Sequence, residues 1–224
     1  MKTKKTLFFS NIIGNIYEDD LSSRFNNHMA EYLKNNINNE YSMVFIDAPG
    51  LGGEDNYLPN ILRCFEKINI NLKNVLFVGE DTEKEKLDRF LKDNKQVFFF
   101  LTGGNPYTQF NIIKKMNLQD TLKNSEDLVI GFCAGEINLS INSIITTDDD
   151  FDTTDSYQGI GRENITIEPH YNDPNDEERN NELKDFSKNL HTKVYAVPDE
   201  SIIYFEDGIK HEEGIIYYID NQEN

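Results

Sequence analysis

Short, unbroken apolar runs punctuate the first two thirds of the chain. Residues 7–9, 42–46, 74–78, 96–101 and 127–131 are continuous in Leu, Val, Ile and Phe rather than alternating with polar positions. Runs of that length read as strands buried on both faces. The stretches between them change period. Leu21, Phe25, Met29 and Leu33 recur every fourth residue, predicting a helix over 17–36. Tyr57, Leu58, Ile61, Leu62 and Phe65 form a second helical face, with Cys64 beside it. A charged helix over 82–93 turns Leu87, Phe90 and Leu91 inward, and another runs through Phe110, Ile112, Ile113 and Met116. Strands alternating with helices predict an α/β fold: a mostly parallel sheet with helices on both faces. Ligands of such sheets bind beyond the carboxyl ends of the strands. The loops at 47–53, 102–106 and 131–135 occupy such ends.

The last third reads differently. Residues 148–155 are acid-rich and predict a solvated loop. Asp148, Asp149, Asp150, Asp152 and Asp155 lack the central Gly and terminal Glu of a calcium loop. A strand at 164–168 ends at Pro169-His170, and a polar helix is expected over 175–190. Strands follow at 194–197, 202–205 and 214–219, with Glu206-Asp207-Gly208 as a hairpin turn between the last two. With no repeat and no linker, residues 1–224 are expected to form one domain.

Composition narrows the function classes. The chain has 224 residues, enough for a substantial core, with 28% charged residues and a net charge of -18. That charge repels phosphate backbones and anionic lipid, so neither nucleic acid nor membrane is an expected partner. Two cysteines, Cys64 and Cys133, make no disulfide framework. The apolar run behind Lys4-Lys5 is broken by Ser10 and Asn11, too early for a signal peptide. No stretch approaches the roughly 20 apolar residues of a membrane span. A cytoplasmic protein is expected. No Cys/His cluster has zinc spacing, so neither metal nor cofactor is called for.

The chemistry concentrates at Gly131-Phe132-Cys133-Ala134-Gly135, where a buried strand runs straight into a helix. A nucleophile at such a turn sits at strained backbone angles and needs small neighbours, which Gly131 and Gly135 supply. The helix start points its N–H groups at the site, and the Ala134 N–H is placed to hold an oxyanion. Gly103 and Gly104 offer backbone donors after the strongest strand. Of four histidines, His28, His191 and His211 read as surface residues. His170, at a strand end, is the candidate base, and Asp199 or Glu200 in Pro198-Asp199-Glu200 can orient it.

Together, Phe100-Leu101-Thr102-Gly103-Gly104-Asn105, the Cys133 elbow, Pro169-His170-Tyr171 and Pro198-Asp199-Glu200 resemble the peptidase E and cyanophycinase family from about residue 40 onward. The resemblance implies a class I glutamine amidotransferase-like fold and a Ser-His-Glu type triad. Here Cys133 stands at the nucleophile position and His170 at the histidine. Asp199 takes the acid position, with Glu200 as the alternate. It implies an oxyanion hole of Gly103, Gly104 and Ala134, with Asn105 and Glu136 in the substrate pocket. Cys133 replaces the usual Ser, and Glu136 stands where a small neutral residue is expected. The expectation is a hydrolase of a peptide or amide bond, acting on a small substrate as a monomer or homodimer. A glutaminase-like amidohydrolase and an inactive binding or regulatory protein on the same fold are the alternatives.

Overall fold

A computed structural model describes residues 3–15, 21–49, 54–147 and 151–220. The first half contains β1 (Lys5–Phe9), α1 (Asn27–Asn36), β2 (Ser42–Ile46), α2 (Glu54–Lys67), β3 (Val75–Val78), α3 (Lys84–Asp93), β4 (Val97–Leu101) and α4 (Pro106–Lys115). Next come α5 (Gln119–Asn124), β5 (Val129–Phe132), α6 (Ala134–Leu139), β6 (Asn142–Ile145), β7 (Asp155–Gln158) and β8 (Thr166–Glu168). The chain finishes with α7 (Glu177–Leu190), β9 (Val194–Ala196), β10 (Ile202–Glu206), β11 (Ile209–Glu213) and β12 (Tyr217–Ile219).

The main sheet runs in the order β11-β10-β1-β5-β4-β2-β3. Its β1, β5, β4, β2 and β3 are parallel, while β10 and β11 add antiparallel at one edge. The continuous apolar runs make sense because both faces are covered. Phe98 and Phe100 of β4 join Phe9, Met43 and Phe45 under Met29 and Leu33 of α1 and Ile61 and Phe65 of α2. Phe99 and Leu101 point the other way, joining Val44, Ile46 and Val129 under Leu87, Ile113 and Leu122. Each such side chain, fully buried, contributes roughly 1.5–3 kcal/mol relative to exposure. A smaller sheet, β12-β9-β8, runs β8 parallel to β9 and lies against α7 through Leu183, Val194 and Ala196. Among the described residues, no helix is long and apolar enough to cross a membrane.

Three expectations are corrected. Of the helix predicted over 17–36, residues 17–20 lie outside the described residues, and in the rest the helix begins only at Asn27, because the Asn26 side chain caps it by accepting the Met29 N–H. Phe25 is buried just ahead of the helix, and Leu21 is 73% exposed. The backbone there is drawn off by a bridge between Ile13 and Arg24. Second, the Glu206-Asp207-Gly208 turn pairs β10 with β11, a polar strand not foreseen, while β12 joins β9 in the other sheet. Third, the short β6–β7 pair and α5 were not anticipated; the pair has mixed burial and no long apolar run. Asp148, Asp149 and Asp150 lie outside the described residues, as does 50–53 of the 47–53 loop.

Candidate active site

β5 ends at Phe132 and α6 begins at Ala134, so Cys133 alone makes the turn. Its φ of 49° and ψ of −105° lie where L-residues are strained. The conformation is over-determined. The Cys133 N–H donates to the Phe9 carbonyl at 3.2 Å, and its own carbonyl accepts from the Glu136 and Ile137 N–H groups at 2.9 and 3.2 Å. Neither flanking glycine has room for a side chain. A Cβ on Gly131 would meet the Gly135 backbone at 2.8 Å, and one on Gly135 would meet the Leu101 carbonyl at 2.5 Å. The Gly-x-Cys-x-Gly spacing is thus a packing requirement of a helix start pressed against two strand ends.

Because β4 and β5 are neighbours, the 102–106 loop lies beside the elbow. A Cβ added to Gly103 would sit 3.2 Å from that of Cys133. Asn105 caps α4, its side-chain oxygen accepting from the Tyr107 and Thr108 N–H groups at 3.0 and 3.1 Å. That oxygen is engaged in capping the helix.

His170 follows β8 and Asp199 follows β9, adjacent parallel strands. Their side chains meet, His170 Nδ1 to Asp199 Oδ1, at 2.7 Å. The imidazole and Cys133 line the same pocket and interact electrostatically. Burial pulls the imidazole pKa down, but the Cys133 charge and the Asp199 hydrogen bond outweigh it and leave it well above the ordinary value. Burial pushes the Asp199 carboxyl up, but hydrogen bonds from His170, Asn11 and Asn172 overcome that and hold it below the usual carboxylate range. Glu200 is exposed, so of the two acids it is Asp199 that faces the imidazole.

Sequence reasoning missed the residues that hold Asp199. Asn172 Nδ2 donates to Oδ2 at 2.8 Å and Asn11 Nδ2 to the same oxygen at 3.2 Å, while the Asp199 N–H donates to Asn172 Oδ1 at 3.0 Å. Asn11 carried a signal: it follows β1, the strand between β10 and β5, at the carboxyl edge. The other histidines lie elsewhere. His28 meets Glu213 at 2.8 Å, His191 ends α7, and His211 stacks on Tyr204.

Glu136 requires a correction. Expected in the substrate pocket, it is fully buried. Its Oε2 lies 3.1 Å from Ser10 Oγ, and its Oε1 has no hydrogen-bond partner. Burial first, then the Cys133 charge, push its pKa well above the ordinary carboxyl value. The Ser10 hydroxyl can donate to Glu136 Oε2 at 3.1 Å or to the Val197 carbonyl at 3.0 Å. The pocket itself, about 280 Å³, is lined by Asn11, Gly14, Asn15, Tyr57, Phe132, Cys133 and His170. A larger cavity of about 720 Å³ at the ends of β2 and β3, between Leu58, Phe77 and Glu80, is bordered by neither Cys133 nor His170. Among the described residues, no cluster of His, Cys, Asp and Glu is arranged to hold a metal.

A parallel sheet with a strained elbow at the carboxyl end of a central strand defines an α/β protein of class I glutamine amidotransferase-like fold. The profile of peptidase family S51 matches residues 20–212, and the chain belongs to that family of peptidase E-like hydrolases. Two solved structures share the fold. A peptidase from an acI-B1 Actinobacterium superposes with a TM-score of 0.62 at 15% identity, covering 98% of this chain and 91% of its own. A candidate peptidase E protein from Listeria monocytogenes EGD-e gives 0.60 at 13% identity, covering 95% and 99%. No curated protein matches the chain.

Proposed function

We propose that this S51-family chain hydrolyses a peptide or amide bond with Cys133 as nucleophile, His170 as acid–base and Asp199 as the group that orients His170. One observation supports the reading: the imidazole that is hydrogen-bonded to Asp199 lines the same pocket as the elbow cysteine and interacts with it electrostatically. With the thiol proton held by His170, the Cys133 sulfur attacks the carbonyl carbon, forming a C–S bond and a tetrahedral oxyanion. The Ala134 N–H, first in its helix and without an intrahelical acceptor, stabilises that oxyanion together with the Gly103 and Gly104 backbone. As the C–N bond breaks, His170 protonates the leaving amine. His170 then takes a proton from water, which attacks the thioester, releasing the carboxylic acid, which ionises in solvent, and regenerating the thiolate–imidazolium pair.

The test needs no substrate. Iodoacetamide alkylation is followed against pH by mass spectrometry in wild type and His170→Ala. Cys64 is the internal reference: burial raises its pKa to about 11, and it is fully enclosed. Fast labelling of Cys133 at neutral pH, slowed by the His170 change, is the expected result. Identical profiles in both proteins overturn the reading.

A further inference from the structure

His170 leaves β8 with a left-handed backbone, φ 55°. A residue with a side chain adopts that conformation at a cost of about 1–2 kcal/mol and stays there only if its surroundings hold it. Three successive residues at this point converge on one side chain. Arg179, in the first turn of α7, donates from Nε to the Glu168 carboxylate at 2.7 Å, with Nη2 reaching the same carboxylate. Nη2 also donates to the Pro169 carbonyl at 2.6 Å, and Nη1 to the His170 carbonyl at 3.0 Å. Both ends of this clamp are anchored. Glu168 is buried and accepts from Thr146 Oγ1 at 2.7 Å, and the Arg179 N–H donates to Asp176, the cap of α7, at 3.0 Å.

An ion pair alone would satisfy the buried Glu168. The bonds to the carbonyls of Pro169 and His170 do something more: they fix the peptide planes entering and leaving His170. Only a guanidinium, a rigid planar fork with five donors, reaches all three residues at once; a lysine ammonium can answer the carboxylate but cannot span the carbonyls. We infer that Arg179 is a positioning residue for His170, holding its backbone so that the imidazole stays between Asp199 and Cys133. The inference rests on the reading of His170 given above. A misplacement of about 1 Å at a reacting group costs on the order of 100-fold in rate.

The same alkylation assay separates the two claims. Arg179→Lys keeps a cation against Glu168 and loses the fork. Its expected result is a Cys133 labelling rate at neutral pH at least about tenfold below wild type, with the pH profile moved onto that of His170→Ala, while Cys64 stays unlabelled. A role confined to the fold would leave the pH profile alone. If wild type and His170→Ala differ but Arg179→Lys follows wild type, the positioning role is overturned and the hydrolase reading stands. If wild type and His170→Ala coincide, both fall. Should Arg179→Lys expose Cys64, the neutral pair Glu168→Gln/Arg179→Gln gives the same comparison, and labelling of Cys64 in both variants overturns the inference by showing that Arg179 supports the fold.

Discussion

His170 Nδ1 and Asp199 Oδ1 lie 2.7 Å apart because β8 and β9 run parallel as neighbours and release their chains at the same edge. The contact fixes which ring nitrogen carries the proton facing the acid, leaving the other for Cys133. Asp199→Asn keeps the shape and removes the charge. Its kcat/KM is expected to fall by roughly 10²–10⁴, as for wrong-tautomer variants of triads. The Asp199 hydrogen bond and charge help to raise the His170 pKa, so the alkaline limb of the pH–rate profile moves to lower pH in the variant. An unshifted limb would show that Asp199 does not control the imidazole.

Asn11→Ala removes one of the two amides on Asp199 Oδ2 and leaves Asn172 in place. A milder loss is expected, on the order of tenfold in kcat/KM, since one hydrogen bond to a charged group is worth about 1.5–3 kcal/mol and the second amide remains. A loss as large as that of Asp199→Asn would mean that Asn11 touches the substrate directly.

Glu136 yields a stability prediction with a definite sign. Its pKa in the folded protein is raised above that of the unfolded chain, so the folded state holds a proton that the unfolded state releases. Its contribution is fully present below the ordinary carboxyl pKa and is lost as pH rises toward the folded value. Within that window the loss runs at roughly 1.4 kcal/mol per pH unit. Glu136→Gln has no such proton to lose. Denaturant unfolding is expected to find the variant more stable than wild type at neutral pH, with the gap closing below about pH 4. A gap independent of pH would place an ionised carboxylate at this position.

Most of the parallel sheet was legible because its strands are buried on both faces, which leaves unbroken runs such as Val97–Leu101. The β11 strand was not legible, because an edge strand of Ile, Lys, His and Glu has no apolar signature. The site divides in the same way. Cys133, Gly131 and Gly135 are marked by local geometry that tolerates few residue types, and they are adjacent in sequence. Asn11 and Asn172 act on Asp199 from 188 and 27 residues away, and only the strand order brings them there. Glu136 was misread because its position one turn beyond Cys133 does not tell which side of α6 faces the pocket.

Two glycine substitutions separate packing from backbone strain. Gly135→Ala puts a methyl 2.5 Å from the Leu101 carbonyl, and overpacking of this kind costs about 1–3 kcal/mol. In a chain of this length that lowers Tm by roughly 2–4 °C per kcal/mol and pulls the elbow away from β4. Gly208, with φ 78° in the β10–β11 turn, has nothing within 4 Å of an added Cβ, so Gly208→Ala meets strain alone, about 1 kcal/mol. Thermal unfolding and the Cys133 labelling rate are expected to fall together in the first variant. In the second, Tm alone moves. Normal labelling in a destabilised Gly135→Ala protein would free the geometry of Cys133 from the packing of its elbow.

Cys133→Ser asks whether the site is built for sulfur. The Cys133 charge is among the influences that raise the His170 pKa, and a serine hydroxyl carries no charge at neutral pH. In the serine variant the imidazole loses that partner and titrates lower. Its role also changes: a hydroxyl needs a neutral imidazole to take its proton, whereas the proposed cysteine mechanism starts from a thiolate–imidazolium pair. The serine variant is therefore expected to be slower at neutral pH, with activity that rises with pH through the lowered imidazole value. Wild type should instead lose activity on the alkaline side as the imidazolium deprotonates. Profiles of kcat/KM against pH on a common peptide or amide substrate decide the matter. A serine variant faster than wild type, or one whose profile superposes on it, would mean that the pocket around Cys133 remains tuned to a hydroxyl and that the ion pair plays no part in the reaction.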